Sequence, residues 1–468
     1  MTGPTAHPPT PEARPAPTAP AAPLAALARA TGPGALLTDP ADRARLATDR
    51  SGHRPDGLPL AVVRAGTVDD VVATLRWATA HRVPVVPRGA GTGLAGGATA
   101  GAGTVVLDLG GLDRVLAIRP EDGLAEVEPG VLTAELDRAA RALGLRYAPD
   151  PASAESATIG GNIATNAGGL HCVKYGVTRD AVLGLDVVLA DGSRLRTGRR
   201  TVKGVAGYDL TSLLTGSEGT LAVVVGATLR LHPLPPRTGT AAAYFASPEA
   251  AAAACAAVLD AGLRPSVLEF LDAATLAAID RAGGAVAAGG QSFVLAQTDG
   301  FAAEAEIEAV AAVLRRTATR VEATAEPATA ERLLATRRAA LPAIERLGRV
   351  LIEDIAVPRS RLAEAARGLT ALADRTGVPV FTFAHAGDGN IHPIVLAGGQ
   401  DPAAVRETVD GIFRLALGLA GTITGEHGVG VLKRPWLEAE LSAEGVALQR
   451  RLKAALDPLG ILNPGKAV

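Results

Sequence analysis

The sequence is short of several features that would place it in familiar functional classes. Among 468 residues there are two cysteines, Cys172 and Cys255, far apart in the chain. They give no disulfide framework, cannot alone ligate a four-thiolate zinc or a conventional iron–sulfur cluster, and point to a reducing compartment. No haem-attachment motif is present. Long apolar runs are missing too: the Ala-rich stretch 241–263 is interrupted by Pro248 and Glu249, so no membrane-spanning helix is expected. Neither sign of charge dominates, with 46 Lys+Arg against 48 Asp+Glu. Without a basic stripe to neutralise phosphates, nucleic-acid binding is not expected. The expected location is cytoplasmic, with peripheral attachment at the inner face of a membrane left open.

What is present suits a large globular protein. An apolar content of 48% can bury a sizeable core, and the length fits two or three domains. The first 23 residues hold eight prolines among Ala and Thr, with no basic start and apolar core of a signal peptide. Residues 1–25 are therefore expected to form a disordered tail. Regular structure is clear from Thr67, which can cap a helix with Val68, Val71, Val72, Leu75 and Ala78 on its apolar face. A strand at 83–87 runs into the loop RGAGTGLAGG, residues 88–97, and a second strand follows at 104–109. A helix over 133–143, a long glycine-bearing loop over 151–169 and a third loop, LTGSEGT at 214–220, come next.

PLPP, residues 233–236, marks the expected domain boundary, dividing residues 26–236 from 237–468. Beyond it the pattern alternates: strand 241–246, helix 249–261, strand 266–271, helix 273–282, strand 292–298 and helix 302–316. A helix over 328–347, a strand over 350–357, a helix over 360–376 and a hairpin over 378–396 complete an α+β domain. Its C-terminal segment is expected to return to the first domain.

Gly91, Gly93 and Gly96 spell GxGxxG, yet a Rossmann site needs a helix to begin inside the loop, and here the sequence leads straight into a strand. What survives is a run of backbone N–H groups free of Cβ atoms, able to nest a phosphate. PRGAGTGLAGG (87–97), ATIGGNIATNAGG (157–169) and GYDLTSLLTGSEGT (207–220) together resemble, in order and spacing, the successive FAD-contacting segments of the vanillyl-alcohol-oxidase-type flavoproteins. Within that superfamily the chain is similar, from about residue 50 onward, to the FAD-linked 2-hydroxy acid dehydrogenases. The resemblance implies FAD across an N-terminal FAD-binding domain, and a C-terminal α+β substrate (cap) domain with a largely antiparallel sheet. It assigns FAD contacts to Pro87, Arg88, Gly89, Ala90, Gly91, Thr92, Gly93, Gly96 and Gly97 in the first segment. In and just before the second it assigns Ser153, Thr158, Gly160, Gly161, Asn162, Thr165, Asn166, Gly168 and Gly169, and in the third Glu218 and Gly219.

Eight histidines occur, and two of them frame FAHAGDGNIHPI, residues 383–394. If the flanking strands pair around residues 386–390, His385 and His392 lie opposite each other, close enough for both imidazoles to reach one divalent ion. A third ligand fits GEHGVG, residues 425–430, where glycines let the backbone approach. In the family that this chain resembles, both histidines and the glutamate correspond to metal ligands and the adjoining histidine to the base. That implies His385, His392 and Glu426 around zinc, with manganese(II) or iron(II) as alternatives, and His427 as proton acceptor. The segment LATRRAALPAI, residues 334–344, resembles the family's substrate-arginine helix and places Arg337 on the substrate carboxylate, with Arg338 facing solvent. Leu341 and Ile352 stand where a second carboxylate would need polar partners, which favours a monocarboxylate. Lys433 and Arg434 are supplementary cations or a surface pair, and His171 and Cys172 are structural neighbours of the cofactor.

The expected activity is oxidation of a D-2-hydroxy acid, lactate or glycolate, to the 2-oxo acid, with hydride passing to the flavin. The acceptor must be external: a quinone, a carrier protein or an iron–sulfur partner subunit. The alternatives are an oxidase of another alcohol that uses oxygen directly, and a flavoprotein subunit of a glycolate-oxidase-like complex. A homodimer is left open.

Overall fold

The structure, a computed structural model, describes residues 24–284 and 291–468. The expected tail lies outside the described residues as far as residue 23, and Leu24 and Ala25 already belong to helix Leu24–Ala30.

Two larger sheets, with a two-stranded ladder of Leu145–Arg146 and His232–Pro233 beside them, build the first domain. One has four strands in the spatial order Leu36–Leu37, Ala61–Arg64, Val105–Asp108, Val85–Arg88, the last three parallel. Helix Val68–His81 packs on it through Val71, Val72, Leu75 and Ala78. Its start is fixed by a reciprocal cap: the Thr67 hydroxyl accepts from the Asp70 N–H, and the Asp70 carboxylate accepts from the Thr67 N–H. Residues 89–104 pass from one parallel strand to the next without a helix, as the argument against a Rossmann loop requires. The second sheet is antiparallel, in the order Val115–Arg119, Leu124–Val127, Val223–Arg230, Val182–Val188, Arg194–Gly198. Residues 151–169 are not loop throughout, as the glycines suggested. They contain helix Ile159–Thr165, capped by the Thr158 hydroxyl and held down by Ile159 and Ile163, spaced i, i+4 on one buried face.

The second domain is an antiparallel sheet of eight strands clothed by helices on both faces. Its order is Arg320–Thr324, Thr238–Phe245, Ser292–Asp299, Val267–Leu271, Val380–His385, Asn390–Leu396, Val350–Ile352, with Ile355–Ala356 also pairing to Asn390–Leu396. Strand alternation serves both faces: Ala241, Ala243 and Phe245 enter one core, Ala242 and Tyr244 the other. Strand Arg320–Thr324 was not foreseen. The single helix expected over 328–347 is two helices, Pro327–Arg338 and Ala340–Glu345. Pro342 explains the break, because it has no N–H to continue the ladder and is tolerated only in a first turn. The strand expected over 350–357 is split into Val350–Ile352 and Ile355–Ala356, because Asp354 turns inward to an anchoring role described below.

At the C-terminus, Leu462 bridges to Val85 in parallel, and the Asn463 amide donates to the carbonyls of Gly97 and Glu218. Among the described residues, no helix is long and apolar enough to cross a membrane.

Candidate active site

The hairpin Val380–His385/Asn390–Leu396 carries the two histidines, in a register that differs from the expected one. The turn closes over residues 386–389, so His385 faces Asn390 and His392 faces Phe383. His385 and His392 are thus diagonal on one face rather than directly opposed. Their rings still meet, with centroids 5.1 Å apart and planes at 85°.

Glu426 comes to this pair from the loop 425–430. Its Oε1 lies 3.2 Å from His392 Nε2, 3.6 Å from His385 Nε2 and 3.8 Å from His427 Nε2. The His427 ring stacks on His392 at 5.1 Å and 17°. Gly168 abuts Glu426 so closely that a Cβ there would collide with Oε2. The loop is pinned from two sides. Asp354 Oδ2 accepts from the backbone N–H groups of Glu426 and His427, both at 3.0 Å, while its Oδ1 accepts from the Asn390 amide and its carbonyl from Lys433 Nζ. Glu218 accepts from the N–H groups of Val429 and Gly430.

The electrostatics follow from burial and pairing. Burial opposes every charge here, but Lys433, His427 and His392 hold Asp354 well below the usual carboxylate range. Likewise His385 and His392 outweigh the burial of Glu426 and lower it, while Glu269 and Glu426 outweigh the burial of His385 and raise it well above an ordinary histidine. His427 goes the other way: burial, only partly offset by Asp354, brings it down to about 4. Two donor sets bring their atoms within 4.8 Å of one another, His385–His392–Glu426 and Asp354–His392–His427. Nδ1 of His392 and Nδ1 of His427 are buried without a hydrogen-bond partner among the described residues. Two imidazoles and a carboxylate with a further imidazole beside them form a donor set that a borderline divalent ion accepts.

Arg337 sits on helix Pro327–Arg338 beside the hairpin, its guanidinium carbon 4.4 Å from the centre of the Phe383 ring. Nε donates to Glu269 at 2.6 Å, and Oε1 of the same glutamate lies 2.7 Å from His385 Nδ1. Arg338 instead pairs with Glu331 at the exposed surface. Glu269 and Asp354 went unrecognised in the sequence. Glu269 carries a signal in retrospect, a lone acid in the apolar strand Val267–Leu271, whereas Asp354 stands beside Glu353 in the break between two strands.

A cleft of about 290 Å³ joins this cluster to the glycine loops. Pro87, Arg88, Gly89, Ala90, Gly91, Thr92, Gly93 and Gly97 line it, as do Ser153, Thr158, Gly160, Gly161, Asn162, Thr165, Gly168, Glu218 and Gly219; Leu341, Ile352, Glu426 and His427 complete the wall. Gly96, Asn166 and Gly169 lie off it: Gly96 packs on Val431, Asn166 ends a helix with φ 54°, and Gly169 abuts Asp150. Arg88 lies beneath the loop, donating to the carbonyls of Thr48 and Ala98. A Cβ on Gly91 would strike its guanidinium, and one on Gly89 would strike the Thr158 hydroxyl. Both glycines are needed for this close approach, which leaves the loop backbone facing the cleft, a cradle suited to an elongated phosphate-bearing cofactor. Lys433, left open as a surface cation, is buried against Asp354. Cys172 is a partly buried thiol, pushed up chiefly by burial.

Comparison with known proteins places the chain among flavoproteins. Residues 59–198 match the family described as "FAD binding domain", and residues 234–467 the family "FAD linked oxidases, C-terminal domain". The chain is 42% identical over 417 residues to glycolate oxidase subunit GlcD of Bacillus subtilis, covering 87% of this chain and 89% of that protein. It is 37% identical over 413 residues to a D-lactate dehydrogenase of Archaeoglobus fulgidus, covering 87% and 91%. In fold it matches the 4-ethylphenol oxidase of Gulosibacter chungangensis with a TM-score of 0.76 at 22% identity, over 95% of this chain and 96% of that one.

Proposed function

We infer from its membership of the FAD-linked oxidases, the family to which this chain belongs, that it is an FAD- and divalent-metal-dependent dehydrogenase of a D-2-hydroxy acid, lactate or glycolate, yielding the 2-oxo acid. One observation carries the reading: Glu426 and His427 stand in the wall of the cleft that the glycine loops line, with His385 and His392 directly behind Glu426.

FAD, when bound in this cleft, supplies a hydride acceptor. His385, His392 and Glu426 would hold a divalent ion, zinc or alternatively manganese(II) or iron(II), which would supply a Lewis acid for the substrate hydroxyl. The remaining work falls to side chains. Arg337, committed through Nε to Glu269, keeps its terminal amines for the substrate carboxylate, a planar two-pronged donor facing a planar acceptor. His427, kept neutral by burial, takes the hydroxyl proton. Leu341 and Ile352 offer nothing to a second carboxylate, which favours a monocarboxylate. Two cysteines ligate no cluster, so electrons leave to a quinone, a carrier protein or an iron–sulfur partner subunit.

Anaerobic bleaching of the flavin tests this. D-lactate or glycolate should reduce the flavin, exhaustive chelation should stop reduction while FAD stays bound, and added zinc or manganese should restore it. Equal rates in metal-free protein would exclude the ion, and a flavin that no 2-hydroxy acid bleaches would exclude the substrate class. Reoxidation by oxygen at the full turnover rate, with no gain from quinone analogues, would make the protein an oxidase instead.

A further inference from the structure

Glu269 lies on strand Val267–Leu271, directly across from His385 on the neighbouring antiparallel strand, and is wholly buried. A carboxylate without water is costly unless both oxygens are engaged. Here they are engaged by two different functional groups: Oε1 lies 2.7 Å from His385 Nδ1, and Oε2 accepts from Arg337 Nε at 2.6 Å. The first contact holds the imidazole through Nδ1 and turns Nε2 toward Glu426, 3.6 Å away. The second, with the Phe383 ring centre 4.4 Å from the guanidinium carbon, holds Arg337 through Nε, and among the described residues its terminal amines make no hydrogen bond.

We propose that Glu269 is a positioning residue that aligns two groups from one carboxylate, the ion-facing nitrogen of His385 and the acid-binding edge of Arg337, so that ion and substrate carboxylate meet in one fixed geometry. The inference rests on the functional reading above. It requires both oxygens to be acceptors at a particular reach. Glutamine in its place has one acceptor oxygen, and its amide NH₂ must confront either the arginine or the histidine N–H, so one contact breaks. Aspartate keeps the charge but is one methylene too short to span both partners.

The test uses FAD-loaded wild type, Glu269→Gln and Glu269→Asp. Divalent-ion affinity is measured on metal-stripped protein by competition between zinc and a chelating dye, and KM and kcat are measured with whichever of D-lactate or glycolate bleaches the flavin. Both variants should retain FAD, lose roughly 10- to 100-fold in zinc affinity, the usual effect of removing a carboxylate behind a ligating histidine, and show a raised KM. If Glu269→Gln fails to fold, Glu269→Asp gives the same readings. Wild-type zinc affinity and KM in Glu269→Asp would reduce Glu269 to a counter-charge and overturn the proposal, as would unchanged affinity in both variants. A wild type that takes up none of zinc, manganese(II) and iron(II) overturns the functional reading and this inference together, and is told apart because the parent protein itself is silent.

Discussion

Glu218 and Val429 lie 211 residues apart in the chain and are joined by a hydrogen bond of 2.8 Å, the carboxylate accepting from the backbone N–H. The second Glu218 oxygen accepts from Gly430 N–H, also at 2.8 Å. The carboxylate expected to touch the cofactor therefore holds the loop that presents Glu426 and His427.

Glu218→Ala should release that loop. Two N–H groups lose their acceptor, that of Gly430 in a buried site, and the loss should be about 2 to 5 kcal/mol of stability. Glu218→Gln, which keeps one acceptor oxygen, should fall between. Thermal unfolding of the FAD-loaded protein measures this, and an unchanged melting temperature in Glu218→Ala would show that the loop stands without the clamp.

Arg337→Ala should weaken hydroxy-acid binding by about 1.5 to 3 kcal/mol, the range for hydrogen bonds to charged groups, and affect a neutral alcohol analogue far less. Comparing dissociation constants for the two ligands decides the matter. Equal losses would indicate damage to the site at large, because Glu269 would then be left buried with a single partner.

Gly168→Ala places a methyl group where Glu426 Oε2 now sits. Glu426 must withdraw from His385 and His392, and flavin reduction should slow by about 100-fold, the scale at which small displacements of catalytic groups act. The rate of bleaching at saturating hydroxy acid is the measurement, and a wild-type rate would mean that Glu426 is not needed where the structure places it.

Asp272 gives a pH-dependent prediction. Burial raises this carboxyl to about 6 in the fold, although its oxygens accept from the N–H groups of Thr275 and Thr382. An unfolded aspartate titrates near ~3.9. Between about pH 4 and pH 6 the folded protein therefore holds a proton that the unfolded chain has released, and this residue's contribution falls as pH rises through that window. The change amounts to about 3 kcal/mol for a two-unit shift. Asp272→Asn removes the titration at a fixed, pH-independent cost, since its NH₂ would face the Thr382 N–H. Melting temperatures across pH 4 to 7 should show the variant gaining on the wild type as pH rises, and parallel curves would rule the effect out.

Much of the fold was legible because the signals are local. The Thr67–Asp70 cap lies within four residues, and the short continuous apolar run Ala241 to Phe245 reads as a buried strand. The break before Pro342 was equally local, and was missed because the apolar pattern continues through it. Helix Ile159–Thr165 escaped notice because its glycines mask a face only two side chains long. For the site, the residue types and their loops could be read, whereas the pairing register of the hairpin could not. A turn over residues 386–389 instead of 386–390 changes each histidine's cross-strand partner, and nothing in the glycine-rich turn fixes its length.

By itself, the sequence determined the glycine loops, the HAGDGNIH hairpin and the GEHG turn, since each depends on neighbours in the chain. Only the tertiary structure decided that Asp354 would anchor the Glu426–His427 backbone, that Glu218 would clamp the same loop from the other domain, and that Glu269 would bind His385 and Arg337 at once. The physical reason is the same in each case. A buried carboxylate must find its donors wherever the fold brings them, and here those donors lie 68 to 212 residues away, beyond the reach of any local pattern.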